Sequence, residues 1–345
     1  MKKLLIGSLL ALSYATYGVS INVTNVTCNT AQTPQAACDL LEAELDNVLN
    51  EDLPDVSIGD YGSGIANAQG FTYRGLGSDY ADVFDYFMVR GGVGVSVEGE
   101  LDNIEKASGF GVGAALTAGI NLDILPIDKV GPIELEKLDI FLSFMSYAPD
   151  QDLDGSSFKG DISAFSIMAR YQILEGVDFV PGNMLSWGGV FLHTGFQRSS
   201  VEADVTQSFK DENIDVGGGQ TATLGNSSAT FSFETTNTTI PIEVATYLRG
   251  AWAFTIFGGA GFDLVTGSTD ISLAASGTAS GQGAGSGFSA DIEANESASG
   301  DADATNGRAF VGLQFNLPFV RVYTQLNKGL GNDLIGGHAG LKILW

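Results

Sequence analysis

The chain has 345 residues, with 46 glycines, 21 phenylalanines and only 8 prolines. Such a glycine- and aromatic-rich composition suits strands and turns better than helices. Sixteen basic against 41 acidic residues give a formal charge of −25. That balance excludes nucleic-acid binding, which needs a basic patch.

Met1-Lys2-Lys3 followed by the apolar Leu4 to Leu12 reads as a secretory signal, with small residues at Ser13, Ala15, Thr16 and Gly18. Two cuts fit, so the mature chain begins near Thr16 or Val19. The apolar core falls short of the roughly 20 residues of a membrane helix, and no later stretch supplies one. The exported chain is therefore soluble or crosses a membrane as strands. Cys28 and Cys38 stand close together after the signal. In an oxidising compartment they are expected to form a disulfide around a small loop.

Three units are expected: a signal over 1–18, an N-terminal segment over 19–82, and a β-unit over 83–345. In the second, Cys38, Leu41, Leu45 and Leu49 recur at helical spacing among acidic residues, predicting a helix over Ala36 to Asn50. Pro54 stops it. Gly59 to Gly77 is glycine-rich and reads as irregular. The whole segment is expected in the periplasm or inside the β-unit.

From Val83 onward the period is two. In Gly109 to Asp123, Phe110, Val112, Ala114, Leu116, Ala118, Ile120 and Leu122 oppose glycines and polar residues. Phe87 to Val97 and Phe319 to Asn327 alternate in the same way. With Leu138–Ala148, Asp161–Ile173, Trp187–Val205, Ala229–Leu248, Ala251–Ile271, Gly307–Leu317 and Ile335–Trp345, these make about ten strands, with 8 or 12 also compatible. Each comes near the ~9–11 residues of a tilted membrane strand. Leu248-Arg249-Gly250 and Asn316-Leu317-Pro318-Phe319 are tight turns. Val205 to Ser228 and Ser268 to Asn306 read as long polar loops. Loops near Glu100, Asp152, Gln220, Gly285 and Gly331 fall on one side, and both chain ends on the other.

The final strand carries Ile335, Gly337, Ala339, Leu341, Ile343 and Trp345 on one face and stops on the aromatic residue. This alternation ending in an aromatic resembles the C-terminal signature of bacterial outer-membrane β-barrels. The resemblance covers Val83 to Trp345 as a pattern and marks a class, not a subfamily. It implies an all-β, antiparallel transmembrane barrel in the outer membrane of a Gram-negative bacterium. It also implies contact with lipid and lipopolysaccharide, and recognition by the barrel assembly machinery. A soluble β-sandwich is the rival, but apolar faces set against glycine and polar residues suit lipid outside and a polar lumen inside.

By parity, Arg90, Arg170, Arg321 and Lys342 face the lumen, with Glu98, Asp123, Glu243 and Asp263 as acidic candidates. Arg90, Arg170, Glu243, Arg321 and Lys342 would line a pore, if one is open. Otherwise they form an ion-pair network filling a narrow barrel. An acidic helix near Glu42 to Glu51 could plug it against the arginines. The expected function is porin-like passive passage of small solutes. The alternative is a closed barrel with a structural or surface-attachment role through long acidic loops.

Asp150-Gln151-Asp152-Leu153-Asp154-Gly155, with Asp161 beyond, resembles an EF-hand-type calcium loop: Asp150, Asp152, Asp154 and Asp161 could hold Ca²⁺. Asp161 replaces the usual glutamate and no flanking helices are apparent, departures that favour a solvated acidic loop. No other cofactor is expected. His193 and His338 fall on lumen parity without a catalytic spacing, so no enzyme activity is expected. The glycine-rich run near Gly281 lacks a lysine and phosphate-loop spacing, and reads as a flexible loop.

Overall fold

The computed structural model describes residues 23–28 and 58–345, apart from 85, 100–107, 154, 181–183, 210, 216–220, 284–285 and 345. The signal segment, the predicted helix over Ala36 to Asn50, the lumen plug expected near Glu42 to Glu51, Cys38 and with it the expected disulfide, and Trp345 all lie outside the described residues.

A ring of 10 antiparallel strands closes on itself. In chain order they are β2 (Phe87–Glu98), β3 (Gly109–Asn121), β6 (Leu138–Tyr147), β8 (Ser156–Val180), β9 (Leu185–Ser208), β11 (Thr221–Gly250), β12 (Phe254–Gly283), β14 (Thr305–Asn316), β15 (Arg321–Leu330) and β16 (Leu334–Leu344). These are the ten strands expected from the alternation. Closure comes from β16 pairing with β2, Leu344 opposite Met88 and Leu334 opposite Glu98. A closed ring leaves no unpaired edge in the membrane, where an unmet backbone amide costs several kcal/mol.

The remaining strands decorate the ring: β1 (Val23–Cys28), β7 (Asp150–Leu153), β10 (Glu212–Asp215) and β13 (Ser286–Asp301), together with a hairpin of β4 (Lys129–Val130) and β5 (Ile133–Glu134). The turn expected to be too long, Ile124 to Lys137, carries that hairpin. Hydrogen bonds from Lys129 and Lys137 hold the Glu134 carboxyl down to about 2. Leu174 to Ser186, the other long turn, is taken up mostly by the ends of β8 and β9.

Outward residues are apolar along one band. On β11 they are Ile240, Ile242, Val244 and Leu248; on β12, Phe254, Ile256, Phe262 and Leu264; on β8, Phe165 and Ile167, all exposed. Inward residues at the same level are polar: Thr239 and Glu243 on β11, Thr255 and Asp263 on β12, Arg170 on β8, all buried. Oil outside and polar groups inside is the inverse of a soluble domain and marks a membrane barrel.

The pattern reverses higher up. β11 and β12 each run for 30 residues, β8 for 25 and β9 for 24. Crossing the membrane uses only ~9–11. Above Phe165, Phe196, Ile240 and Leu264 the outward residues become Asp161, Glu202, Glu234 and Asp270. The inward ones become Val201, Ala203, Phe233 and Ile271, which pack with Ile65 as a buried apolar cluster. The polarity flips because the outer medium changes from lipid to water. The two long polar stretches are thus not loops. Ser268 to Asn306 continues β12 and turns into β13, paired from Ser268–Asp301 to Gly283–Ser286. The glycine-rich run near Gly281 belongs to that ladder. Val205 to Ser228 holds the end of β9, all of β10 and the start of β11. Together they form a tall wall on one side of the barrel's outer rim.

Candidate functional site

The lumen is occupied by the chain's own segment from Ile58 to Phe84. It begins as a helix, α1 (Ile58–Thr72). Glycine spacing suggested irregular chain here, because each glycine costs a helix about 1 kcal/mol relative to alanine. The lumen reverses that preference. A Cβ on Gly64 would overlap the backbone of Ser108 and Gly109, and one on Gly62 would crowd Gly300. Only a helix without side chains at these points fits, and a helix satisfies its own backbone where water is scarce. Ile65, Ala66, Ala68 and Phe71 are buried inside the ring.

Contacts between the segment and the wall descend in order. At the outer rim, Asn67 donates to Glu98 and to Asp303, both at 3.4 Å. Below it Gln69 exchanges two hydrogen bonds with the Val112 backbone, 2.9 and 3.0 Å. Thr72 contacts Ser96, and its carbonyl accepts from His338 Nε2 at 2.6 Å. His338 Nδ1 lies 2.9 Å from Asn327. After the helix, Gly75 turns the chain with φ of +99°, a conformation glycine adopts freely. Arg74 pairs with Asp263 at 3.2 Å and donates to Gln197.

The charged centre follows. Arg90 reaches the carbonyls of Ser78 and, at 2.6 Å, Gly75, while its guanidinium lies 3.8 Å from the Tyr323 ring centroid. Tyr80 donates to Glu243 at 2.6 Å, and Arg308 pairs with the same carboxylate. Ser78 Oγ lies 2.7 Å from His193 Nδ1. Lys342 holds Asp79 through both oxygens, 2.6 and 2.7 Å. Arg170 pairs with Asp139 at 2.6 Å and donates to the carbonyls of Asp79 and Asp82, 2.9 and 2.6 Å. Asp82 then gathers Lys342 and Gln314, both at 2.6 Å, together with Arg249 and Arg321. Phe84 closes the bottom against Phe141, Met88 and Met168.

All five pore candidates therefore face the lumen, yet four are shut away from water. Arg90, Arg170, Glu243 and Lys342 are at most 3 % exposed, while the Arg321 side chain, at the periplasmic rim, is 27 % exposed. Side chains lining a water-filled channel stay accessible; these do not. A cleft beside Tyr73 and Asn237 holds about 20 Å³, room for a single water. Of the acidic candidates, Asp263, Glu243 and Glu98 are placed as expected. Asp123 is not: it sits exposed in a 3₁₀ turn, Leu122–Ile124, past the end of β3 where the alternation no longer applies.

Sequence reading missed Arg308 and Asp139, which share the lumen parity, and the whole set Arg74, Asp79 and Asp82. Parity was available for the first two. For the other three no signal existed, because they lie on irregular chain.

The acidic run adopts another geometry than a calcium loop. Asp150 to Leu153 is β7, one arm of a hairpin that turns at Gly155, φ +79°. Asp150 lies opposite Lys159 and Asp152 opposite Ser157, while Asp161 pairs across β9 with Glu202. An extended ladder spreads these carboxylates instead of wrapping them round one ion. Among the described residues no group of three or more His, Cys, Asp or Glu is arranged for a metal; Asp154 lies outside them.

A family model described as Lsa36-like matches residues 23–345. The chain belongs to the Lsa36-like family. No curated protein matches it. Among solved structures, the Lsa36-like barrel is similar to the translocator domain of the autotransporter NalP from Neisseria meningitidis, at 9% identity and TM-score 0.32 over 80% of this chain and 92% of that one. It is similar to the outer membrane protease OmpT from Escherichia coli, at 10% and 0.32 over 75% and 95%. CarO from Acinetobacter baumannii follows at 11% and 0.26 over 76% and 98%. The assignment of the Lsa36-like chain as an outer-membrane barrel stands on its closed ring and its lipid-facing band, with polar groups inside.

Proposed function

We propose that the protein is a closed outer-membrane barrel with a structural or surface-attachment role, presenting its tall wall of β8, β9, β11, β12 and β13 at the cell surface. One observation carries this reading: the lumen is filled from Asn67 to Phe84 by side chains bonded to the wall, with Arg170, Arg308, His193 and Gln314 at 0 % exposure. Passive passage of small solutes would require the segment to leave, breaking the buried pairs at Asp79, Asp82 and Arg74 together. The wall meanwhile offers an acidic outward face. Asp161, Glu202, Glu234 and Asp270 stand directly opposite one another across four consecutive strands. Like charges side by side destabilise a sheet, so this row points to cationic groups on whatever meets the wall.

His193 and His338 support a non-catalytic reading. Both are buried, and each has one ring nitrogen on the plug, His193 Nδ1 against Ser78 and His338 Nε2 on the Thr72 carbonyl. The closing position of β16, between β15 and β2, supports its reading as the strand that the assembly machinery recognises. Planar-bilayer recording of the refolded full chain tests the closed reading: a silent membrane is expected, and sustained porin-like current steps would sink it.

A further inference from the structure

The direction in which α1 enters the barrel fixes where the preceding chain lies. Gly62 and Gly64 touch Gly300, Ser108 and Gly109, and Asn67 bonds Glu98 and Asp303. Glu98, Ser108 and Gly109 sit at the ends of β2 and β3 away from the short turns, and Gly300 and Asp303 sit where β13 leads into the far end of β14, beyond Leu264. Asp82 bonds Arg249 and Arg321, beside the short turns at 251–253 and 317–320. The chain then passes directly into β2 at Phe87, which starts from that same side. Short turns lie in the periplasm and long connections outside. The segment therefore runs from the outer rim down to the periplasmic rim, and Ile58 is at the top.

A second observation agrees independently. β1 pairs antiparallel with β13, Val26 opposite Ile292 and Cys28 opposite Ala290. That part of β13 is hydrogen-bonded to Ala279–Gly277 of β12, well above the lipid-facing run that ends at Leu264. So β1 and the start of α1 are both on the outer side. A chain exported into the periplasm has to cross the outer membrane to reach that place. From sequence, residues 19–82 are expected in the periplasm or the lumen, and the chain ahead of Ile58 is where the present reading departs from this.

We propose that the part of the mature chain ahead of Ile58 crosses the outer membrane through this barrel's own lumen during assembly and is displayed at the cell surface. There β1 extends the wall by one strand, and Ile58 to Phe84 remains in the passage and seals it. Small residues suit that role. Gly62, Gly64, Ala66, Ala68 and Gly70 keep the helix narrow, with Gly62 and Gly64 against the wall's backbone, and Gly111 and Gly94 on the wall leave room for Ala68, Thr72 and His338. The sealing by Ile58 to Phe84 rests on the closed reading, which bilayer recording tests separately; the side that the N-terminal chain reaches is independent of it.

Full-length protein carrying an epitope and a single protease site inserted ahead of Val23 would be produced in intact cells. Matched insertions in the 331–333 loop and the 251–253 turn serve as outer and periplasmic controls. The expected result is antibody labelling and cleavage of the N-terminal insertion on intact cells, as for the 331–333 control. Labelling only after the outer membrane is permeabilised, as for the 251–253 control, would overturn the proposal. Heat-modifiable migration of each variant shows that its barrel has folded. If the epitope blocks folding, the protease site alone, a shorter insertion, decides between the same two outcomes.

Discussion

Lys342, three residues from the chain's end, holds both carboxylate oxygens of Asp79 at 2.6 and 2.7 Å, with both side chains at most 4 % exposed. The same ammonium reaches Asp82 at 2.6 Å. The last strand of the barrel is thus tied to the segment that fills it. A buried cation on β16 would be costly without a partner, and the partner is supplied from a position more than 250 residues earlier. The closed ring and the seated plug therefore stabilise one another.

The coupling makes Asp82 the most sensitive single position in the lumen. Asp82→Ala leaves Lys342, Arg249 and Arg321 without a shared carboxylate. Removing one member of a buried ion-pair network costs about 3–5 kcal/mol. The refolded variant should lose its compact, heat-modifiable form at lower temperature and lower urea than the parent. An unchanged midpoint would show that the lower lumen is solvated.

Gly64 probes the fit of the helix. Gly64→Val places two methyl groups where the Ser108 and Gly109 backbone already lies. Gly109 is held in the ladder between β2 and β3, opposite Glu98, and so has less freedom to yield than the single helix. Overpacking of this kind costs about 1–3 kcal/mol or more. The expected outcome is a folded barrel whose 58–84 segment is cut by added protease, whereas the parent resists. Equal resistance in both would mean that α1 is not wedged against β3.

Phe233 separates the wall from the membrane part. It is 5 % exposed and packs with Val201, Ile271 and Ile65 above the lipid band. Phe233→Ala removes about 3–5 kcal/mol of core packing. Hydrogen exchange should rise over 221–238 and 266–283 while 240–248 stays protected. Uniform loosening of both regions would contradict the reversal of polarity described for β11.

Two outward positions on β11 test the same boundary from outside. Val244 lies in the apolar band, and Glu234 lies above it. Val244→Arg should destabilise the barrel by about 2–4 kcal/mol, the cost of a cation at the bilayer midplane. Glu234→Arg faces water and should change stability by no more than about 0.5 kcal/mol. Denaturant titration in lipid vesicles gives both values, and similar effects at the two sites would remove the proposed membrane level.

The ten ring strands were legible because lipid and lumen impose a strict period of two. A residue such as Val89 or Leu326 must be apolar, and its neighbours Arg90 and Gln325 must not. The same parity placed Arg90, Arg170, Glu243 and Lys342 inside. It failed where lipid stops acting. Before Ala229 on β11 and beyond Ile271 on β12 the chain is mostly polar or small, so β10, β13 and the far ends of β11 and β12 read as loops. It failed again at Asp123, two residues past the last ladder pair of β3 at Asn121.

The sequence by itself determined the barrel, a count of about ten strands and the inward side of its charges, since each follows from local alternation against a membrane; the ring of 10 was decided by the pairing. Only the tertiary structure decided that the barrel is filled, and by which segment. Ile58 to Thr72 is a poor helix on its own, rich in glycine and without an ionic stripe. It becomes a helix because a narrow polar lumen excludes Cβ atoms at Gly62 and Gly64 and offers no water to its backbone. The partners that fix it, Asp82 with Arg249, Arg321 and Lys342, meet across 160 residues or more of chain, a distance over which no local pattern can signal.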